Sequence, residues 1–193
     1  MSVIAEKIFK LRSYTPLPFI VLMLIFQKAS IESIIIGFVV IIIGEYFRLW
    51  GVSYAGSETR TTGNVGGTFL VVSGAYAFVR NPLYIGNMLM YIGVGIMSMA
   101  LFPYLLIIAI IFFFFQYTVI INEEETFLHT KYGKSYENYC DAVPKLIPNR
   151  KRYLNPGLDQ PPLNIKAGLR SEKRTLQAVT IIVILIIIRY ISI

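Results

Sequence analysis

Apolar residues along this chain come in blocks, set apart by short polar breaks. Residues 17–26 form the first block. It is short, and with its flanks it can span a bilayer as part of a hairpin or at a tilt. A polar break over 27–32 precedes a second block at 33–50. The third and fourth blocks, 83–101 and 104–121, meet at a turn marked by Phe102 and Pro103. A last run, 175–193, is rich in β-branched residues and long enough to cross a membrane. The pattern predicts an all-α polytopic membrane helical bundle with about five transmembrane helices, built as a single membrane domain over 1–193. Residues 3–12 alternate apolar and basic, with Lys7, Lys10 and Arg12. They predict either an amphipathic segment on the membrane surface or a tail. With no long apolar core and no small-residue cleavage site there, no signal peptide is expected.

Two stretches break the apolar pattern. Residues 51–79 are polar and glycine-rich, which predicts a long connection with Glu58, Arg60 and Thr61 at its polar centre. That centre suits an anionic lipid head group, or is a plain charged surface. Residues 126–148 read as helix to Tyr132, a stop at Gly133, and a short helix over 135–142 that ends before Pro144. Residues 149–174 are basic and proline-containing.

Composition agrees with a membrane setting. Hydrophobic residues make up 55%, mean hydropathy is +0.63, and only 15% of residues are charged, against about 25% in soluble domains. The net charge of +7 is explained by basic residues gathered on one side of a membrane, so no nucleic-acid partner is expected. The single Cys140 and single His129 exclude an internal disulfide and a cysteine or histidine metal cluster within one chain, and no metal is expected. Lysine and arginine concentrate before the first block, in 51–82, and in 122–174. The positive-inside rule then places these segments, with the N-terminus, on the cytoplasmic side. Arg80 and Asn81 would therefore share a face with Glu123, Glu124 and Glu125.

The candidate chemistry centres on residues 74–93, GAYAFVRNPLYIGNMLMYIG. Pro82 suits the first turn of a helix. That turn leaves free N–H groups and a partial positive charge, which suit a carboxylate or phosphate. Gly86 and Gly93, seven apart, share a helix face on which another helix or a flat ligand can come close. Glu45 and Arg48, three apart, form either a structural ion pair or part of a site. The three adjacent acids step about 100° apart around a helix, so they cannot all face one pocket. At the far end of a membrane helix they are unfavourable, and a bound cation would offset that cost. A ligand with an anionic end, a cationic centre and a ribose satisfies these groups together. S-adenosylmethionine has all three. No GxxxxGK[ST] phosphate loop is present.

The motifs RNPLYIG at 80–86, Gly93, the pair Glu124–Glu125, YGKSYENY at 132–139 and VPKLIP at 143–148 together resemble the integral-membrane methyltransferases of the isoprenylcysteine carboxyl methyltransferase and phospholipid methyltransferase type. The resemblance covers residues 44–150, with Asn81 where the eukaryotic enzymes carry histidine. Asparagine cannot titrate, which argues against acid–base work there. The resemblance implies a methyltransferase core at 44–150 with a cytosolic cofactor segment at 122–150, and 175–193 as an additional helix outside it. It implies S-adenosylmethionine bound by Tyr76, Arg80, Asn81, Pro82, Tyr84, Gly86, Asn87, Glu124, Glu125, Tyr139, Val143 and Leu146. Glu125, Arg80 and Glu124 would be the catalytic residues. Glu45, Arg48, Arg60 and Thr61 would meet the acceptor, a membrane-embedded lipid or prenylated molecule with a carboxylate or amine head group. The expected location is the inner membrane of a prokaryote. Two other readings stay open: a membrane reductase using a nicotinamide cofactor on a related scaffold, and a non-enzymatic transporter or scaffold.

Overall fold

The computed structural model describes residues 3–56, 70–154 and 157–192, with side chains from residue 7 onward. The described residues form helices α1 (Val3–Leu11), α2 (Pro16–Ile25), α3 (Ile31–Ala55), α4 (Pro82–Ser98), α5 (Tyr104–Tyr132), α6 (Lys134–Ala142) and α7 (Ile165–Ile191), with a 3-10 turn at Gly74–Ala77 before α4. No strand occurs among them. The substrate-side residues Arg60 and Thr61, and Glu58 beside them, lie outside the described residues.

Among the described residues three helices, not five, are long and apolar enough to cross a membrane: α3, α5 and α7. The two other apolar blocks are cut short locally. Phe26 and the polar residues after it end α2 at 10 residues. Met99, in a left-handed conformation (φ 49°), ends α4 at 17 residues. At 1.5 Å per residue these helices reach about 15 and 25 Å, short of a hydrocarbon core of about 30 Å. Two boundaries also move outward. A reciprocal Ser30–Ser33 capping box starts α3, and the helix then continues through Gly51 to Ala55 into what the glycines predicted to be loop. Helix α7 starts at Ile165, ten residues before the apolar run, because the Asn164 side chain caps it by accepting from the Ala167 N–H at 2.9 Å. Its first turns are therefore polar.

The bundle is built around an antiparallel pair, α3 against α4. Gly37 faces the Gly93 carbonyl, and Gly44 faces that of Gly86. A Cβ on any of these four would sit 2.4 to 2.7 Å from the opposing carbonyl oxygen, so the two backbones are in contact. This close approach is what the spacing of seven on α4 selects for, and α3 carries the same spacing at 37, 44 and 51. Helix α7 lies beside α3, where Gly168 packs on Ser53. Its far end is tied in by Gln27, whose amide donates to the Ile186 carbonyl at 3.1 Å. Met23, Ile41, Met97 and Ile186 form the core at that end. Helix α5 packs on α4 through rings: Tyr84 on Tyr117 at 4.8 Å and Tyr91 stacked on Phe113 at 4.2 Å. Helix α1 is not a loose tail. Its Ile8 and Phe9 pack into the apolar cluster of Phe113, Tyr117 and Ile121 on α5. Ile35, Ile36, Phe114, Phe115, Ile181 and Ile188 point outward, the apolar exterior a bilayer requires.

Antiparallel packing gathers the C-terminus of α3, the N-terminus of α4, the acids of α5, helix α6 and the first turns of α7 at one end of the bundle. That end holds the site.

Candidate functional site

Residues 144–154 and 157–164 lie across this end and lace it together. The Asn149 N–H donates to the Phe78 carbonyl at 2.8 Å, and the Tyr153 N–H to the Ala77 carbonyl at 2.9 Å. The Gln160 side chain bonds the Leu70 carbonyl and the Val72 N–H. The Asn164 N–H reaches the Ser53 carbonyl at 2.8 Å. Val143, Tyr136 and Tyr139 are buried beneath this strap with Leu70 and Val72. The cap is thus a small apolar core of its own, seated on the ends of the helices.

Arg80 and the acidic run do meet. Arg80 Nε donates to Glu125 Oε1 at 2.9 Å. Arg80 Nη1 also donates to the Cys140 and Val143 carbonyls, at 2.9 and 2.7 Å, and its backbone N–H to the Pro144 carbonyl at 3.0 Å. The guanidinium therefore satisfies carbonyls at the end of α6 and fixes 140–144 against the start of α4. The other Glu125 oxygen is 2.8 Å from Lys145 Nζ. Asn81 donates its amide to the Lys145 carbonyl at 3.1 Å. Arg80, Asn81 and Glu125 thus have protein partners that hold the cap in place.

Glu124 differs. One residue back along α5, it turns to α4 and accepts from Tyr84 Oη at 2.8 Å. Among the described residues no cation lies within salt-bridge distance of it. The acids also do not sit at the last turn: α5 runs on to Tyr132 and is stopped by Gly133 at φ 49°. Among the described residues their partners are Tyr84, Arg80 and Lys145.

A cavity of about 970 Å³ opens beside Glu124. Its polar part is lined by Tyr76, Arg80, Asn81, Tyr84, Glu125 and Tyr139. Tyr139 Oη donates to the Tyr76 carbonyl at 2.7 Å. Burial pushes both phenols above the usual tyrosine range, with Glu124 adding to the shift at Tyr76 and Tyr76 itself to that at Tyr139. Both stay neutral at physiological pH. Further along, the wall is aromatic (Tyr91, Phe113, Tyr117), then apolar, with Met23, Val94 and Ile182 from three different helices. Pro82 and Asn87 also line it.

Some expected residues face elsewhere. Gly86 packs on α3, its hydrogens directed at Arg48 and the Gly44 carbonyl. Val143 is buried in the cap core, and Leu146 packs against the apolar cluster that holds Tyr117 and Ile121. None of the three lines the cavity. Glu45 lies 4.0 Å from Arg48 Nε and is likewise off the lining, whereas Arg48 is on it. The main partner of Arg48 is another acid altogether. Arg48 Nε donates to Glu172 Oε2 at 3.1 Å, and Nη2 reaches both Glu172 oxygens at 2.9 and 2.7 Å. Glu172 is on α7 and has no exposed surface. Sequence reasoning missed this pair, since nothing local links positions 124 residues apart. It also missed Phe9 and Arg12, which line the cavity from the N-terminal side. The basic alternation over 3–12 was the available signal for them.

An all-α membrane bundle with a cavity that is acidic and aromatic at one end and apolar at the other defines a membrane protein with room for an amphipathic ligand. The chain belongs to the phospholipid methyltransferase family, which it matches over residues 33–135. The match takes in α3, α4 and α5 and leaves out α1, α2 and α7. Comparison with curated proteins and with solved structures gives no match.

Proposed function

We propose that the protein transfers a methyl group from S-adenosylmethionine to the polar head of a membrane lipid, at the cytoplasmic interface of the bilayer. The observation that carries this reading is the continuity of the cavity, from the Glu124–Tyr84 pair to apolar surface shared by α2, α4 and α7. A water-soluble donor and a lipid acceptor need a site that is polar at one end and apolar at the other.

The residues present fit the cofactor. The cavity volume of about 970 Å³ is at the top of the usual range for ligand sites, roughly 300–1,000 Å³, so it can hold two ligands at once. Glu124, with a neutral partner, offers a counter-charge for a sulfonium, and the rings of Tyr84 and Tyr117 suit a cation as well. The first turn of α4, opened by Pro82, leaves backbone N–H groups for the carboxylate. Tyr76 and Tyr139 would flank the adenosine. When bound, S-adenosylmethionine supplies an activated methyl group that passes to an acceptor lone pair as the carbon–sulfur bond breaks, leaving S-adenosylhomocysteine. The protein contributes chiefly position. Arg80, Asn81 and Glu125 keep the cap closed over the α4 N-terminus. An acceptor that arrives as an ammonium gives up a proton first, and Glu124 is placed to take it. The family's name favours a phospholipid head group over a prenylated carboxylate.

The test is calorimetric titration of S-adenosylhomocysteine into the detergent-purified protein, followed by incubation with a methyl-labelled donor and total lipid extract. Micromolar binding and label in a lipid fraction are expected. Absence of binding by a folded protein overturns the proposal.

A further inference from the structure

The buried Arg48–Glu172 pair does work the methyl-transfer reading leaves unassigned. Both residues sit within the helical bundle, and Arg48 is 7% exposed. Taking two charges out of water is costly, and their attraction often only balances that cost. Ionisable groups among membrane helices therefore mark function more often than stability.

The donor geometry indicates what the function is. A guanidinium carries five N–H groups. Glu172 takes those on Nε and Nη2, and Thr175 Oγ1 stands 3.5 Å from Nη2. Nη1 gives one hydrogen bond, to Asn87 Oδ1, which keeps a second hydrogen on Nη1. The same bond turns the Asn87 oxygen away and leaves its two amide hydrogens without a partner among the described residues. Arg48, Asn87 and Thr175 all line the cavity. Two N–H donors from different helices thus border one space, one of them on a cation whose charge is balanced from behind.

Position along α4 fixes where this space lies. Tyr84 and Asn87 are three residues apart and share a helix face. Tyr84 holds Glu124, and Asn87 holds Arg48 one turn deeper, about 4.5 Å along the axis. Met90 and Val94 continue the same lining into the apolar part. In order of depth the cavity offers an acid, then paired N–H donors, then hydrocarbon.

We infer that Arg48 and Asn87 form an oxyanion subsite for the acceptor, which takes the phosphodiester or carboxylate of a lipid head group. Glu172, on the C-terminal helix outside the family match, is the positioning residue that orients Arg48 and moderates its charge. This rests on the methyl-transfer reading, and it makes α7 part of the site rather than an accessory span. An oxyanion here sits between the reacting atom, at Glu124, and the chains, at Met90 and Val94. Glu172, with Glu45 4.0 Å from Nε, offsets the charge of Arg48, which then binds by hydrogen bonds without holding the product as an ion pair.

The experiment measures binding to the full-length protein in detergent by calorimetry. The probes are dihexanoyl phosphatidylethanolamine, decanoate, decylamine and S-adenosylhomocysteine. Wild type is expected to bind an oxyanion lipid more tightly than decylamine; the phosphatidylethanolamine or decanoate arm identifies which oxyanion. Asn87→Ala leaves the Arg48–Glu172 pair intact and should weaken the oxyanion lipid about tenfold. The double variant Arg48→Gln/Glu172→Gln removes both charges of the closest pair together, with Glu45 the acid that stays nearby, and should weaken it at least as much. Glu172→Gln alone removes the nearer of the two acids beside Arg48, leaving Glu45 at 4.0 Å, and should act in the opposite direction, tightening the oxyanion lipid. In all three, binding of decylamine and S-adenosylhomocysteine should stay within about threefold, less than the ~1 kcal/mol typical of one hydrogen bond. A uniform loss across all probes, or no change in any variant, overturns the subsite. Failure of wild type to bind S-adenosylhomocysteine would instead overturn the methyl-transfer reading.

Discussion

Glu124 and Glu125 are adjacent, yet the structure separates their work sharply enough to predict opposite phenotypes. Glu124→Gln keeps the size of the side chain and an oxygen that can accept from Tyr84 Oη, now 2.8 Å away. It removes only charge. No partner cation is stranded by the change among the described residues, so folding should be unaffected. The effect should appear on the charged ligand alone. Two unit charges 4 Å apart interact by about 4 kcal/mol at an effective dielectric constant of 20. Glu124 is half-buried, and some of that attraction returns through the new amide dipole. A net loss of about 1.5–3 kcal/mol remains, which is about 10–150-fold in affinity. S-adenosylmethionine carries a sulfonium and S-adenosylhomocysteine a neutral thioether, otherwise nearly the same molecule. The assay is paired calorimetric titration of both into wild type and Glu124→Gln. S-adenosylmethionine should weaken by the full amount while S-adenosylhomocysteine changes less than about threefold, within ~1 kcal/mol. Equal weakening of both would mean that Glu124 shapes the site instead of compensating charge there, and the argument for a sulfonium beside it would fail.

Glu125→Gln should do the reverse: stranding Arg80 and Lys145 should lower stability by about 2–3 kcal/mol, tempered because Lys145 is 36% exposed, and should weaken both cofactor forms together, seen as a lower melting temperature and parallel loss in titration. Gly86→Ala gains about 1 kcal/mol of helix propensity, but its Cβ would lie 2.6 Å from the Gly44 carbonyl oxygen, so overpacking of about 1–3 kcal/mol should win and lower the midpoint of thermal unfolding; an unchanged midpoint would show that the two helices separate freely. Cys140 and a cysteine placed at Lys28 on a Cys140→Ser background should react with a membrane-impermeant maleimide from opposite faces of sealed vesicles, because residues 28 and 140 lie at opposite ends of the bundle.

The meeting of Arg80 with the acids of α5 was readable from the chain alone, because charge distribution between the apolar blocks sets which ends share a face. The division between Glu124 and Glu125 was half readable. A step of about 100° says that neighbours on a helix diverge, but not which one turns to α4. Helix count was misread because hydropathy measures composition while Met99 and Phe26 end helices by local geometry. Gly86 was read toward a ligand when its role is contact with α3; the matching glycines at 37, 44 and 51 were the overlooked signal. The Arg48–Glu172 pair was out of reach. It joins α3 to α7 across 124 residues of sequence, and burial of a lone glutamate in a basic stretch leaves no periodic trace.

The glycine seam between α3 and α4 has a mechanical consequence. Backbones locked carbonyl to Cα at four positions cannot slide past each other by a fraction of a turn without collision. That pair is the fixed frame of the molecule. Any widening that admits a lipid sideways must come from α1, α2, α5 or α7 swinging away from it. Ligand exchange should therefore slow when α7 is cross-linked to α3, and should be indifferent to a cross-link between α3 and α4.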